Sequence, residues 1–137
     1  MTSSTAAVSD KHGDGQTFDE SDWVEITDDL PIYNKSKILA ERAAWDFVEK
    51  LPEDEKFGLV VINPSGIIGP TLNKEPFESQ KLIQVLLDGS TSRVPYMRLP
   101  MVDVRDVALA HVKGLTTKGV NQRFILADDY MTMVEAG

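Results

Sequence analysis

The stretch "FGLVVINPSGIIGP", residues 57–70, sets an unbroken apolar run between a glycine and a proline and then turns twice. Leu59 to Ile62 is too short for a helix and shows no polar alternation, the pattern of a strand buried on both faces. Such a strand belongs to a parallel sheet with helices packed over it. Pro64, Ser65, Gly66 and Ile67 then follow at its C-terminal end, where ligands sit in open α/β folds. Working outward, "IYNKSKILAERAAW" (32–45) opens a helix. Pro31 stands near its start, where a missing N–H costs nothing. Strong helix formers fill its body, and Ile38, Ala44, Trp45 and Val48 fall on or near one apolar stripe. The helix should stop at Leu51-Pro52. A helix followed by a fully buried strand predicts an α/β unit with a parallel sheet.

Downstream, "PFESQKLIQVLLDGS" (76–90) predicts a second amphipathic helix closed by Gly89. "RLPMVDVRDVALAHVKGL" (98–115) predicts a strand to Val102, then a helix capped by Asp103 that ends near Gly114. "QRFILAD" (122–128) reads as a strand, and "DYMTMVEAG" (129–137) as the opening of another helix. With strands expected only near Leu59–Ile62, Leu99–Val102 and Phe124–Leu126, the Leu59–Ile62 strand should lack a neighbour on at least one edge. Residues 10–29 carry eight acids against one lysine and read as a solvated loop, with Phe18 and Trp23 as its anchors.

At 137 residues the chain is of one-domain size, with the apolar and charged fractions of an ordinary soluble globular protein. A net charge of -8 argues against a nucleic-acid or anionic-membrane partner, because phosphate binding needs concentrated Lys and Arg. The absence of cysteine excludes disulfides and thiolate metal sites. His12 and His111 show no metal-ligand spacing, so no metal is expected; His111 reads as packing, and Asp103, Arg105 and Asp106 as a helix start with an ion pair. No apolar run is long enough to span a bilayer, and no charged leader precedes an apolar segment, so a cytoplasmic chain is expected.

Tyr33 and Lys37 stand at i and i+4, so both side chains leave one face of the helix. A free phenol has a pKa near 10 and holds its proton too firmly to be a good acid at neutral pH. A neighbouring ammonium stabilises the phenolate and makes such a group a usable general acid or base. The pair can protonate a carbonyl oxygen while a hydride arrives at carbon, or run the reverse. Alone, the spacing also suits an ordinary exposed helix turn.

Four motifs add to it. "TSSTAAV" (2–8), "YNKSK" (33–37), "INPSGIIGP" (62–70) and "VDVRDVALAHV" (102–112) occur in one order. Together they resemble the extended short-chain dehydrogenase/reductases of the NAD-dependent epimerase/dehydratase superfamily, nearest the branch of dihydroflavonol and cinnamoyl-CoA reductases. The resemblance covers nearly the whole chain. It implies a Rossmann-type fold and NAD(P)H-dependent reduction of an aldehyde or ketone, with a small carbonyl compound as partner. In its terms Tyr33 matches the proton donor. Lys37 matches the lysine that makes the tyrosine more acidic and hydrogen-bonds the nicotinamide ribose. Ser4 matches the serine that hydrogen-bonds the substrate oxygen, with Thr5 taking that part if the turn is shifted by one. Pro64, Ser65, Gly66 and Ile67 match the turn that holds the nicotinamide carboxamide through backbone groups, including the Ile67 N–H. Tyr96, Met97 and Met101 border the region that closes over substrate in the family.

The departure from the family lies at the other end of the cofactor. The G-x-x-G-x-x-G fingerprint for the pyrophosphate is absent from these residues. Residues 1–137 are therefore expected to form a single partial domain, the C-terminal portion of such a fold with its parallel sheet incomplete. The catalytic helix and substrate part are present, without most of the NADP or NAD site, and the chain alone is expected to be inactive. Two alternatives stand beside the reductase reading. One is a sugar-nucleotide epimerase or dehydratase of the same superfamily. The other is a catalytically inactive, truncated interaction module, since the Tyr33 helix belongs to a helix pair that serves as a homodimer interface in the superfamily.

Overall fold

The computed structural model describes residues 1–10, 15–72, 81, 84–85, 87–88, 98–117, 120–128 and 130–132. After a 3-10 turn at Thr5–Ala7 the elements are α1 (Ile32–Lys50), β1 (Val60–Pro64), β2 (Gly66–Ile68), β3 (Arg98–Asp103), α2 (Val104–Thr116), β4 (Gln122–Leu126) and β5 (Tyr130–Thr132). α1 starts behind Pro31 and ends where expected: Leu51, at φ -66° and ψ 146°, is already extended, as the residue before a proline must be. α2 starts at Asp103, whose Oδ1 accepts the Arg105 N–H at 2.7 Å. The helix expected over 76–90 lies mostly outside the described residues.

β1 and β4 pair in parallel, Val60 opposite Gln122 through Pro64 opposite Leu126. The other edge of β1 is occupied as well, which corrects the expectation of an unpaired strand. The Ile62 N–H donates to Met1 O at 2.9 Å and the Ser3 N–H donates to Ile62 O at 2.7 Å, so Met1–Ser3 runs alongside as a short parallel segment. Successive side chains of β1 point to opposite faces. Val61 faces α1, packing with Val48 and Leu59 and against Ala44 and Trp45. Val60 faces α2, which approaches so closely that a Cβ on Gly114 would lie 2.9 Å from Val60 Cγ1. Helices on both sides of a parallel sheet make the expected α/β layers, and each fully buried Ile or Val contributes roughly 1.5–3 kcal/mol.

The chain leaves this sheet at Ser65, whose N–H donates to Leu126 O at 2.9 Å. It then enters a second, three-stranded sheet in the order β2-β3-β5. β2 and β3 are parallel, whereas β5 runs antiparallel to β3, with Pro100 opposite Tyr130. The segment read as a helix start is therefore a strand over Tyr130–Thr132. An aromatic and a β-branched residue suit a pleated edge, and β3 offers an open one that local sequence cannot reveal. Gly69 ends β2 at φ +126°, where a Cβ would sit 2.9 Å from Val104 Cγ1, so glycine answers both the backbone and the space.

The acidic segment is more than a solvated loop. Most of its described charged side chains are exposed and Asp22 is half-buried, but Val24 and Leu30 are buried against Ala7 and Ile38, with Trp23 packed beside them. Beneath it lies a polar centre. Glu41 on α1 is wholly buried, and Arg123 on β4 nearly so. Arg123 Nε donates to Glu41 Oε1 at 2.6 Å, and its guanidinium lies 3.8 Å from the Trp23 ring centroid. Arg123 Nη1 donates to the carbonyls of Glu20 at 3.0 Å and Asp22 at 2.5 Å. Glu20 in turn accepts the Ile125 N–H of β4 at 3.1 Å. The segment is thus bound to the sheet through the carbonyls of Glu20 and Asp22 and the Glu20 carboxylate.

Two stability predictions follow from these contacts. Arg123→Met leaves the Glu41 carboxylate buried and unpaired, so unfolding free energy should fall by about 3–5 kcal/mol, while Glu41→Met/Arg123→Met should recover most of that loss; urea titrations of the three proteins check it. The Asp103 carboxyl is held down to about 2, first by the Arg105 guanidinium and then by the Arg105 N–H. A lowered carboxyl contributes stability that is fully present above its unfolded value of about 4 and is lost as pH falls through the folded value. The Asp103 carbon signal should therefore titrate with a midpoint near 2, and protection of the Arg105 amide should be lost over the same range. A midpoint near 4 would remove the cap from this account.

Candidate active site

A cleft of about 550 Å³ opens at the C-terminal end of β1, where the two sheets part, and brings together Ser4, Tyr33, Lys37 and the Pro64–Ile67 turn. Ser4 reaches it from the first turn of the chain. At φ -162° and ψ 154° it caps the 3-10 turn, and its Oγ accepts the Ala6 N–H at 3.1 Å. A hydroxyl that accepts in this way keeps its own proton for another partner. Tyr33 and Lys37 come from the first two turns of α1. The Lys37 ammonium lies 5.6 Å from the Tyr33 ring centroid, and Tyr33 is 58% exposed, so its phenol is accessible to a ligand. The adjacent Lys35 is turned elsewhere, donating to Asp28 O at 2.8 Å.

The far wall is the turn between the sheets. Ser65 Oγ is buried with no partner among the described residues. Ile67 lies in β2 in register with Val102, so its main chain belongs to the sheet. Met101 does not line this cleft. It is buried beneath the turn, its sulfur 2.6 Å from where a Cβ on Gly66 would be. Thr5 also stays out of the lining, leaving Ser4 as the hydroxyl of that turn that reaches the cleft. Tyr96, Met97 and His12 fall outside the described residues. The Arg105 guanidinium is engaged by Asp103 at the start of α2. His111 sits on α2, its Nδ1 2.8 Å from Val107 O and its Nε2 2.7 Å from Thr2 Oγ1. A carbonyl only accepts, so Nδ1 carries a proton and the ring ties α2 to the first strand segment.

Sequence reading missed Asn63. This residue is wholly buried at the end of β1, and its amide nitrogen donates to Ser4 O at 3.1 Å and to Glu41 Oε2 at 2.8 Å. An asparagine directly after a run of valines and isoleucine, inside a strand expected to be dry, was the available signal. Glu41 was legible in the same way, as a carboxylate three residues after buried Ile38.

The cleft suits one end of a nicotinamide dinucleotide. The Lys37 ammonium and the Pro64–Ile67 turn could meet the ribose and carboxamide, which leaves the Ser4 hydroxyl for a substrate oxygen. The pyrophosphate finds no such match among the described residues. Two helix N-termini border the cleft: that of α2 is closed by the Asp103 carboxylate, which disfavours an anion, and that of α1 carries no side-chain cap.

Several known proteins are similar to this chain. No family model matches the chain. The NADPH-dependent methylglyoxal reductase GRE2 of Saccharomyces cerevisiae is 34% identical over 97% of this chain and 44% of its own length. Cinnamoyl-CoA reductase 1 of Arabidopsis thaliana is 36% identical over 93% of this chain and 38% of its own. Among solved structures, yeast methylglyoxal/isovaleraldehyde reductase Gre2 complexed with NADPH superposes with a TM-score of 0.85 at 32% identity, over 96% of this chain and 43% of that one. The chain thus spans less than half the length of the curated relatives it matches. With its Rossmann-type layers and the Tyr33–Lys37 pair at the strand ends, it belongs to the extended short-chain dehydrogenase/reductase superfamily.

Proposed function

We propose that residues 1–137 carry the catalytic side of an NAD(P)H-dependent reductase that converts an aldehyde or ketone to an alcohol. The observation that carries this reading is the meeting of Ser4, Tyr33 and Lys37 in one cleft with the Pro64–Ile67 turn, from segments far apart in sequence. The cofactor would supply a hydride to the carbonyl carbon. The Tyr33 hydroxyl gives its proton to the carbonyl oxygen, and the Lys37 ammonium stabilises the phenolate that remains. The Ser4 hydroxyl donates a hydrogen bond to the same oxygen as charge develops there. Lys37 and Ser65 are the groups that would hold the nicotinamide ribose and carboxamide. NADPH is the favoured reductant, because GRE2 is named for it. The reductase names of relatives at 34% and 36% identity favour carbonyl reduction over the epimerase reading.

In this reading the chain is one partial domain, completed by a dinucleotide-binding half that the longer relatives have room for. A cytoplasmic location is part of it, resting on a cysteine-free, acidic sequence. A second copy is the partner for α1, where Leu39 and Phe47 are 57% and 60% exposed; sedimentation of the completed reductase distinguishes dimer from monomer. No described helix is long and apolar enough to cross a membrane.

The chemistry is tested in a chain that joins these residues to a dinucleotide-binding half. Tyr33→Phe removes the proton donor and keeps the ring, so NADPH-dependent turnover should fall by about 10²–10⁴-fold with an unchanged melting temperature. Near-normal turnover would overturn the assignment. Residues 1–137 alone should show no calorimetric signal with NADPH, since the groups that hold the pyrophosphate supply much of dinucleotide affinity. Micromolar binding by this chain would show that it holds the cofactor unaided.

A further inference from the structure

The amide of Asn63 stands between the two elements that meet in the cleft. Its nitrogen has two protons, and both are engaged: one on Ser4 O at 3.1 Å, the other on Glu41 Oε2 at 2.8 Å. The opposite amide orientation would set an oxygen against a carbonyl and a carboxylate, so the network fixes which way it points. The amide oxygen, Oδ1, is buried with no partner among the described residues. A buried unsatisfied polar group is costly, and here that cost is set against the two bonds that the amide nitrogen donates. Apolar packing alone does not account for an asparagine here.

Geometry does. Glu41 lies one turn after Lys37 and two turns after Tyr33, on the same face of α1. Its other oxygen is gripped by Arg123 Nε at 2.6 Å, which leaves the carboxylate little freedom to turn. On the opposite side, Ser4 O accepts from Asn63 and also from the Ala7 N–H at 3.0 Å. The carbonyl so held belongs to the residue whose Oγ caps the turn and faces the cleft.

We propose that Asn63 is a positioning residue, an amide spacer braced by Glu41 and Arg123 that fixes the Ser4 turn relative to the Tyr33–Lys37 face of α1. It touches neither substrate nor cofactor. Its effect is to set how the Ser4 hydroxyl and the Tyr33 phenol converge on one oxygen, and it rests on the reductase reading. Misplacement of a reacting group by about 1 Å can cost on the order of 10²-fold in rate, which sets the scale of the effect.

Two variants remove the spacer by different routes while keeping the interior packed. Asn63→Leu deletes the amide, and Glu41→Met/Arg123→Met deletes the brace and both buried charges together. In the joined reductase each should keep a cooperative melt and change KM for NADPH by less than about threefold, with kcat reduced by about 10–100-fold. In residues 1–137 alone, the Ala6 and Ala7 amides, which close on Ser4, should exchange about tenfold faster in either variant. Amides in the second half of α1 should not change. If Asn63→Leu does not fold, the double variant decides. A folded variant with parental kcat, or with unchanged exchange at Ala6 and Ala7, would reduce Asn63 to packing. These outcomes are separable from failure of the reductase reading, which would appear as activity surviving Tyr33→Phe or as no activity in the parent; the exchange measurement stands in either case.

Discussion

Glu41 and Arg123 form a buried ion pair, and much of the surrounding structure supplies its hydrogen bonds, although Arg123 Nη2 has none among the described residues. Removing a carboxylate and a guanidinium from water costs several kcal/mol per ion, recovered only with close geometry and further hydrogen bonds. Those bonds are what join the parts. Arg123 lies on β4, Glu41 on α1, the accepting carbonyls of Glu20 and Asp22 on the acidic segment, and Asn63 on β1. Trp23 closes over the guanidinium at 3.8 Å, where a weakly hydrated cation gains from the ring face. One ionic contact thereby anchors a helix, two strands and the loop that covers them.

The site depends on that anchoring together with the small cluster in which Ala7 of the Ser4 turn packs with Ile38 of α1. Tyr33 and Lys37 stand on the first two turns of α1, away from the apolar cluster of Val48, Leu59 and Val61. Glu41 lies between the two regions and fastens the helix to β1 through Asn63. The Ser4 turn comes from the other side and is fastened to the same amide. Parting of the sheets after Pro64 then opens space at the strand ends, as open α/β folds do at a switch point. The positive φ of Gly69 bends the wall of that space back towards α2.

Charge is distributed to match. The chain carries a net charge of -8, yet the cation in the cleft, Lys37, is not drawn into an ion pair among the described residues. Lys35, two residues earlier, is held on the Asp28 carbonyl. Asp19 bonds within its own loop, where the Ser21 N–H and hydroxyl both donate to it, and the Glu20 carboxylate is held by the Ile125 N–H. An ammonium left available beside a phenol is the electrostatic condition the proposed proton transfer requires.

Much of this was written in local sequence. The apolar run at residues 59–62, the proline and helix formers from Pro31 onward, and Asp103 ahead of its helix each act within one turn or one strand. Neighbouring residues therefore sufficed to place α1, β1, α2 and β4. The spacing of Tyr33 and Lys37 is likewise local, because a helix puts i and i+4 on one face whatever surrounds it. Tertiary structure alone decided the partners. Whether residues 130–132 are helix or strand depended on an open edge of β3, and whether β1 lacked a neighbour depended on where Met1–Ser3 came to lie. Whether Met101 faced a ligand or the underside of Gly66 depended on which strand it opposed. Nothing local pairs Glu41 with Arg123; only folding brings them to 2.6 Å across 82 residues of chain, because the free energy of a buried charge is set by its partner and not by its neighbours in sequence.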